Sequence, residues 1–166
     1  RTNQRTVCAS LVPPKMFLTN AAPYFLWPRG TEQDEAYLLG VLNSIPFDWN
    51  ARLFVQANMN YHILNSLRVP RDEDDSALRD RVITLAGRIA AEDERYTNWA
   101  DAVGVDYGPL DQEDKLEKIY EIDALVGHLY GLSRDQMRTI VETLHEGWDY
   151  ENRLDRVLQY HRGWSE

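Results

Sequence analysis

"TVCASLV", residues 6–12, is a short run with β-branched and apolar side chains that stops at Pro13-Pro14. Such a run bounded by proline reads as a strand. "APYFLW", Ala22–Trp27, has the same texture, is rich in aromatic residues and closes at Pro28-Arg29-Gly30. A third candidate strand is Tyr61–Leu64. If these are strands, the chain is α+β: a small mixed strand/helix N-terminal region followed by an all-helical C-terminal subdomain, with helices predominating.

Helical signals surround them. "PRGTEQDE" is a turn feeding a helix with Ala36, Leu39, Gly40 and Leu42 along it. Ser44-Ile45-Pro46 then breaks and restarts it, Ser44 as a cap and Pro46 in the first turn, with Phe47, Ala51, Phe54 and Val55 on one face. Beyond Arg71–Asp75 the pattern is purely 3.6-periodic. Leu78, Val82, Leu85, Ala86 and Ile89 open it, and Tyr96, Trp99, Ala100 and Val103 continue it to Gly104. Asp111 starts a helix carrying Leu116, Ile119, Ile122, Val126 and Leu129, stopped by Gly131. Ser133-x-x-Gln136 is a capping box ahead of Met137, Ile140, Val141 and Leu144. A last helix holds Tyr150, Leu154, Val157 and Leu158.

The chain has 166 residues, enough for one domain with a helical appendage. Its 43% hydrophobic content, with five Trp and nine Tyr, excludes a disordered chain. The first residue is Arg1 rather than Met, and Arg1–Leu11 already reads as structured, so we expect a fragment of a longer protein. No apolar run approaches the ~18 residues of a membrane span, and the start lacks the apolar core of a secretory signal. Cys8 is the single cysteine, which excludes an internal disulfide framework and a thiolate zinc cluster. A cytoplasmic origin is expected.

Charge divides the chain. Residues 1–70 hold six cations (Arg1, Arg5, Lys15, Arg29, Arg52, Arg68) against four acids (Glu32, Asp34, Glu35, Asp48), a balance of +2. The total is −9, so residues 71–166 carry −11. A free-standing nucleic-acid binder shows a basic footprint; here only the first half permits one. The boundary is placed at 71–75, giving 1–70 as part of a recognition region and 71–166 as the helical subdomain.

Catalytic patterns are absent. His62, His128, His145 and His161 never fall at i, i+4 on one helix, and no HExxH occurs, so a zinc hydrolase site cannot be built. His128 stands one turn before a helix stop, where it suits the dipole. There is no G-x-S-x-G elbow and no glycine-rich phosphate loop. "NAAPYF", Asn20–Phe25, approaches the N-P-P-Y loop that grips a flipped adenine, but it has one residue too many and lacks the first proline, so it reads as a strand entry. "EDK", Glu113–Lys115, has the E-x-K spacing of a nuclease half-site but lies in a helical first turn, where acids match the dipole. The catalytic set is therefore none, and no metal or cofactor is expected in this chain.

One polar cluster remains. "NMNYHILNSLRVP", residues 58–70, gathers Asn58, Asn60, Tyr61 and His62. Asparagine pairs bidentately with the N6 and N7 of adenine. Arg29, Arg52 and Lys15, from the non-acidic half, are candidates for phosphate contacts. A purely structural loop is the rival account.

Four stretches in order carry a resemblance: "RTVCASLVP" (5–13), "YLLGVLNS" (37–44), "NYHILNSLRVP" (60–70) and "IDALVGHLYGLSRDQM" (Ile122–Met137). Together they resemble the C-terminal target-recognition and helical region of TaqI-like, adenine-specific restriction–modification DNA methyltransferases, including fused type II and phage-defence forms. The departure is Met59-Asn60-Tyr61-His62, where the family more often has a glycine-rich approach and a second aromatic. The resemblance implies a DNA-recognition segment that positions and reads double-stranded DNA. An upstream catalytic domain would carry S-adenosylmethionine, the N-P-P-Y loop and any nuclease, and Ile122–Met137 would be a helix–turn–helix tail. The reading from another class is a helical protein–protein interaction or scaffold domain without nucleic-acid contact.

Overall fold

A computed structural model describes residues 5–19, 24–26, 29–55, 59–71, 76–144 and 150–165. Among them every regular element is helical: α1 (Glu32–Leu42), α2 (Ile45–Arg52), α3 (Tyr61–Ser66), α4 (Ser76–Ala90), a 3₁₀ turn at Glu94–Tyr96, α5 (Thr97–Val103), α6 (Gln112–Leu129), α7 (Arg134–Thr143) and α8 (Tyr150–Gly163). No strand occurs among the described residues, which overturns the α+β expectation.

Each expected strand fails for its own reason. Residues 7–13 form no regular element and have no strand beside them; their burial alternates, and Asp48, Asn43 and Tyr96 side chains take their backbone groups. Tyr24–Leu26 is irregular and exposed, and Ala22, Pro23 and Trp27 lie outside the described residues. Tyr61–Leu64 is helical because Asn60 caps it: its side-chain oxygen accepts from the Ile63 N–H at 3.0 Å, supplying one of the bonds that a helix start lacks.

The local helix signals translate directly. Thr31 and Asp34 form a reciprocal capping box, and so do Ser133 and Gln136. Ser44 caps α2 with proline in its first turn, and Asp111 caps α6 through the Asp114 N–H. Gly104 ends α5 at φ 87°, a left-handed conformation that glycine adopts without cost.

α1 lies along α4, α4 against α6, and α6 and α7 against α8. Gly40 makes the first contact close: a Cβ there would sit 2.6 Å from Val82 Cγ1 and 3.1 Å from Ala86 Cβ. One core joins Val7, α1, Phe47 and Ala51 of α2, Leu67, α4, Val103 and Ile122, Leu125 and Val126 of α6. It therefore crosses the 71–75 charge run. A second core gathers Ile45 with Tyr120, Ala124, α7 and α8 around the fully buried Met137.

Two buried carboxylates organise the packing, Asp123 between the halves and Asp48 within the first. Asp123 of α6, with no exposed surface, accepts the Ile45 N–H at 2.8 Å and faces the Arg153 guanidinium. Asp48, equally buried, accepts the N–H groups of Thr6 and Val7 at 2.8 and 2.7 Å, with Arg5 and Arg52 beside it at 3.5 and 3.3 Å. Buried acids of this kind require such partners.

Candidate functional site

The polar cluster is built on the first turn of α3. Asn60, Tyr61 and His62 are all exposed, Tyr61 by 50%. The Tyr61 hydroxyl donates to the Tyr24 carbonyl at 3.4 Å, bringing the two aromatic segments together. Asn58 lies outside the described residues.

Both sides of this turn are fastened. Met59 and Leu64 pack on the first core and Leu67 is buried in it. On the exit segment, the Tyr37 hydroxyl donates to the Pro70 carbonyl at 2.9 Å, and the Tyr130 hydroxyl donates to the Arg68 carbonyl at 2.6 Å. Burial pushes the Tyr130 hydroxyl well above the ordinary tyrosine range, so it stays a donor. The "RVP" exit is thus held by α1 from one side and by the end of α6 from the other.

The candidate cations are placed differently from one another. Lys15 sits in an exposed turn at φ 66°, and Arg29 is exposed just before Gly30. Arg52 ends α2 and is half-buried, its Nε 3.3 Å from Asp48. Its guanidinium therefore already neutralises a buried acid. Of the expected set, the structure groups Asn60, Tyr61 and His62; Arg52 has a structural post. Glu113–Lys115 falls in the first turn of α6, a helix and not a strand. Among the described residues no three His, Cys, Asp or Glu side chains form a metal-binding group, and no described helix is long and apolar enough to cross a membrane.

The structure also assembles features that the sequence did not announce. Residues 7–11 run over a groove of about 680 Å³ between α1, α4 and α6. Asn43 grips this segment: its Oδ1 accepts from the Ala9 N–H at 3.0 Å while its Nδ2 donates to the Ala9 carbonyl at 2.9 Å. The available signal was the amide in "LNS", directly before a capping serine. His128 and His161 stack at 3.8 Å, and their Nε2 atoms meet the carbonyls of His161 and Leu132 at 2.8 and 3.0 Å. Their separation in sequence hid that pairing. Burial, then the neighbouring His128 and Arg134, lower the affinity of His161 for a proton, while its bond to Leu132 works the other way.

Neither family models, curated proteins nor solved structures offer a match to this chain.

Proposed function

We propose that the chain is the C-terminal DNA-recognition part of an adenine-specific restriction–modification DNA methyltransferase. In this reading it positions and reads duplex DNA for an S-adenosylmethionine-dependent catalytic domain elsewhere in the parent protein. The observation that carries the reading is the exposure of Asn60, Tyr61 and His62 together, on a turn anchored at both sides. An exposed amide, phenol and imidazole on a rigid support suit base-edge contact. Lys15 and Arg29, both exposed, are the cations for phosphate; Arg52 contributes there less, because it neutralises Asp48.

The test separates capping from reading. Asn60→Ser keeps a side chain that caps a helix and removes the amide that pairs with adenine. Binding of the chain to a randomised duplex pool is compared with that of Asn60→Ser and His62→Ala. Lost sequence preference at a similar salt slope supports base contact; an unaltered preference in both variants removes it. Replacing Lys15 or Arg29 by alanine reduces the salt slope by roughly 0.9 for each phosphate left without its cation.

A helical interaction domain without nucleic-acid contact is the second reading, favoured by one observation. Phe17 is fully exposed and Leu26 is 78% exposed, with Tyr24 and Phe25 nearby in sequence. Absence of duplex binding at low salt selects it.

A further inference from the structure

Along residues 7–14 burial alternates without a break: Val7, Ala9, Leu11 and Pro13 are covered, while Cys8, Ser10, Val12 and Pro14 are exposed. In extended chain, residues i and i+2 send their backbone N–H and C=O to the same edge, as they do in a sheet ladder. On one edge, side chains take those groups. Val7 N–H donates to Asp48, Ala9 exchanges two bonds with Asn43, and the Leu11 carbonyl accepts from the Tyr96 hydroxyl at 3.2 Å. Asn43 here does for Ala9 what an opposite residue does in an antiparallel pair.

The other edge is unmet. Among the described residues nothing pairs with the N–H or C=O of Cys8 or Ser10, and both residues line the groove of about 680 Å³. Its apolar wall includes Leu39, Ile89, Ile119 and Ile122. The charged groups at its rim are already engaged: Lys115 with Glu92 at 2.9 Å, Arg153 with Asp123, and Arg5 with Asp48, which it shares with Arg52, and with the Asn43 carbonyl. Each of these cations is turned to a partner in the fold, which disfavours a phosphate chain as occupant. A helix has satisfied its own backbone and has nothing to offer this edge. An extended polypeptide has a donor and an acceptor at the required two-residue repeat, and alternate side chains for the apolar wall.

We propose that the Cys8–Ser10 edge and its groove take an extended peptide by strand addition. The occupant is an uncharged polypeptide strand with small apolar side chains at alternate positions. Backbone bonds hold it, and the groove selects its side chains.

The probe is a fluorescent, end-capped peptide, Ser-Val-Thr-Val-Thr-Val-Ser, titrated against the full chain by anisotropy, beside an analogue methylated on the valine amide nitrogens. Side chains and charge are the same in both, so only backbone pairing differs. Saturable binding that weakens about tenfold or more on methylation is expected, the effect of losing one or two hydrogen bonds. Ser10→Pro deletes one edge donor at an exposed residue, and proline favours the extended form in the residue before it. It is expected to weaken the unmethylated peptide similarly, with the unfolding temperature unchanged. Should Ser10→Pro fail to fold, the methylated pair decides alone. Equal binding of both peptides, or no saturable binding, overturns the proposal. Concentration-dependent self-association that disappears in Ser10→Pro assigns the edge to a second copy and equally overturns it.

Discussion

Residues 5–61 and residues 76–165 place their large apolar side chains in opposite ways. Eleven such side chains are exposed among the described residues; ten of them, from Val12 to Tyr61, belong to the first stretch, and only Tyr107 belongs to the second. The acidic second stretch buries its apolar faces among its own helices, α4 through α8, and against α1 and α2 of the first. In the first stretch, α1 and α2 are buried in the shared core, while Phe17, Leu26, Leu53 and Phe54 face solvent. Scattered exposed apolar residues are ordinary; here, among the described residues, they fall almost entirely in one stretch. The two regions also differ in what fixes them: interlocked helix faces in one, side chains bonded to extended backbone in the other.

The largest effect is expected at Asp123. Asp123→Ala strands the Arg153 guanidinium and the Ile45 N–H in buried surroundings, and should cost about 3–5 kcal/mol in urea unfolding. Loss of less than about 1 kcal/mol would mean that the helical region does not depend on this tie. Asn43→Ala should cost less, about 1–3 kcal/mol, through the unpaired Ala9 groups. Its signature is local: faster amide exchange around Ala9 with slow exchange retained in α6. Uniform acceleration across α6 and α8 would erase the distinction between the regions.

Acid should act first on the helical region. His161 holds a proton less readily in the fold than its ordinary pKa of 6.5, chiefly through burial. The unfolded chain therefore binds the proton first. Stability from this residue is complete above pH 6.5 and is lost as pH falls through the lower folded value. Asp34 and Glu117 are lowered by the Thr31 backbone bond and by Arg156 respectively, so their contributions fade only at more acid pH, below their ordinary 3.8 and 4.5. His161→Gln should flatten the decline just below pH 6.5 and leave the lower limb in place, as followed by urea midpoints across pH. An unaltered profile would shift the cause away from the stacked pair. The smallest effect is expected at Phe17→Ser, within about 0.5 kcal/mol, since the ring is 100% exposed. A larger loss would show that the exposed segment supports the fold.

What the sequence made legible was local. Ser44, Asp111 and the Ser133–Gln136 box announced helix starts because a cap and its target lie within three residues. The apolar and β-branched texture of Thr6–Val12 corresponds to a segment whose alternate residues are covered, and no strand forms there. A strand, though, needs a partner strand, and here Asn43, Asp48 and Tyr96 supply the bonds from helices and turns far along the chain. At Tyr61–Leu64 the aromatic and apolar residues suit a strand, but Asn60 one residue ahead caps a helix. Exposure of Asn60, Tyr61 and His62 fits their polar character; the service of Arg52 to Asp48 was hidden because an acid one turn away looks like an ordinary surface pair until its burial is known. Asp123 was unreadable for the same reason, its backbone partner Ile45 standing 78 residues away.

The two phenolic anchors on the "RVP" exit carry a mechanical corollary. Tyr37 belongs to the first stretch and Tyr130 to the second, yet both hold consecutive parts of one connector, at the Pro70 and Arg68 carbonyls. The acidic helices therefore act as a jig: they set the pitch at which the α3 turn meets whatever lies in front of it. Changes at the α6 terminus, such as loss of the Tyr130 hydroxyl, would shift the support beneath Asn60 and His62 without touching either residue.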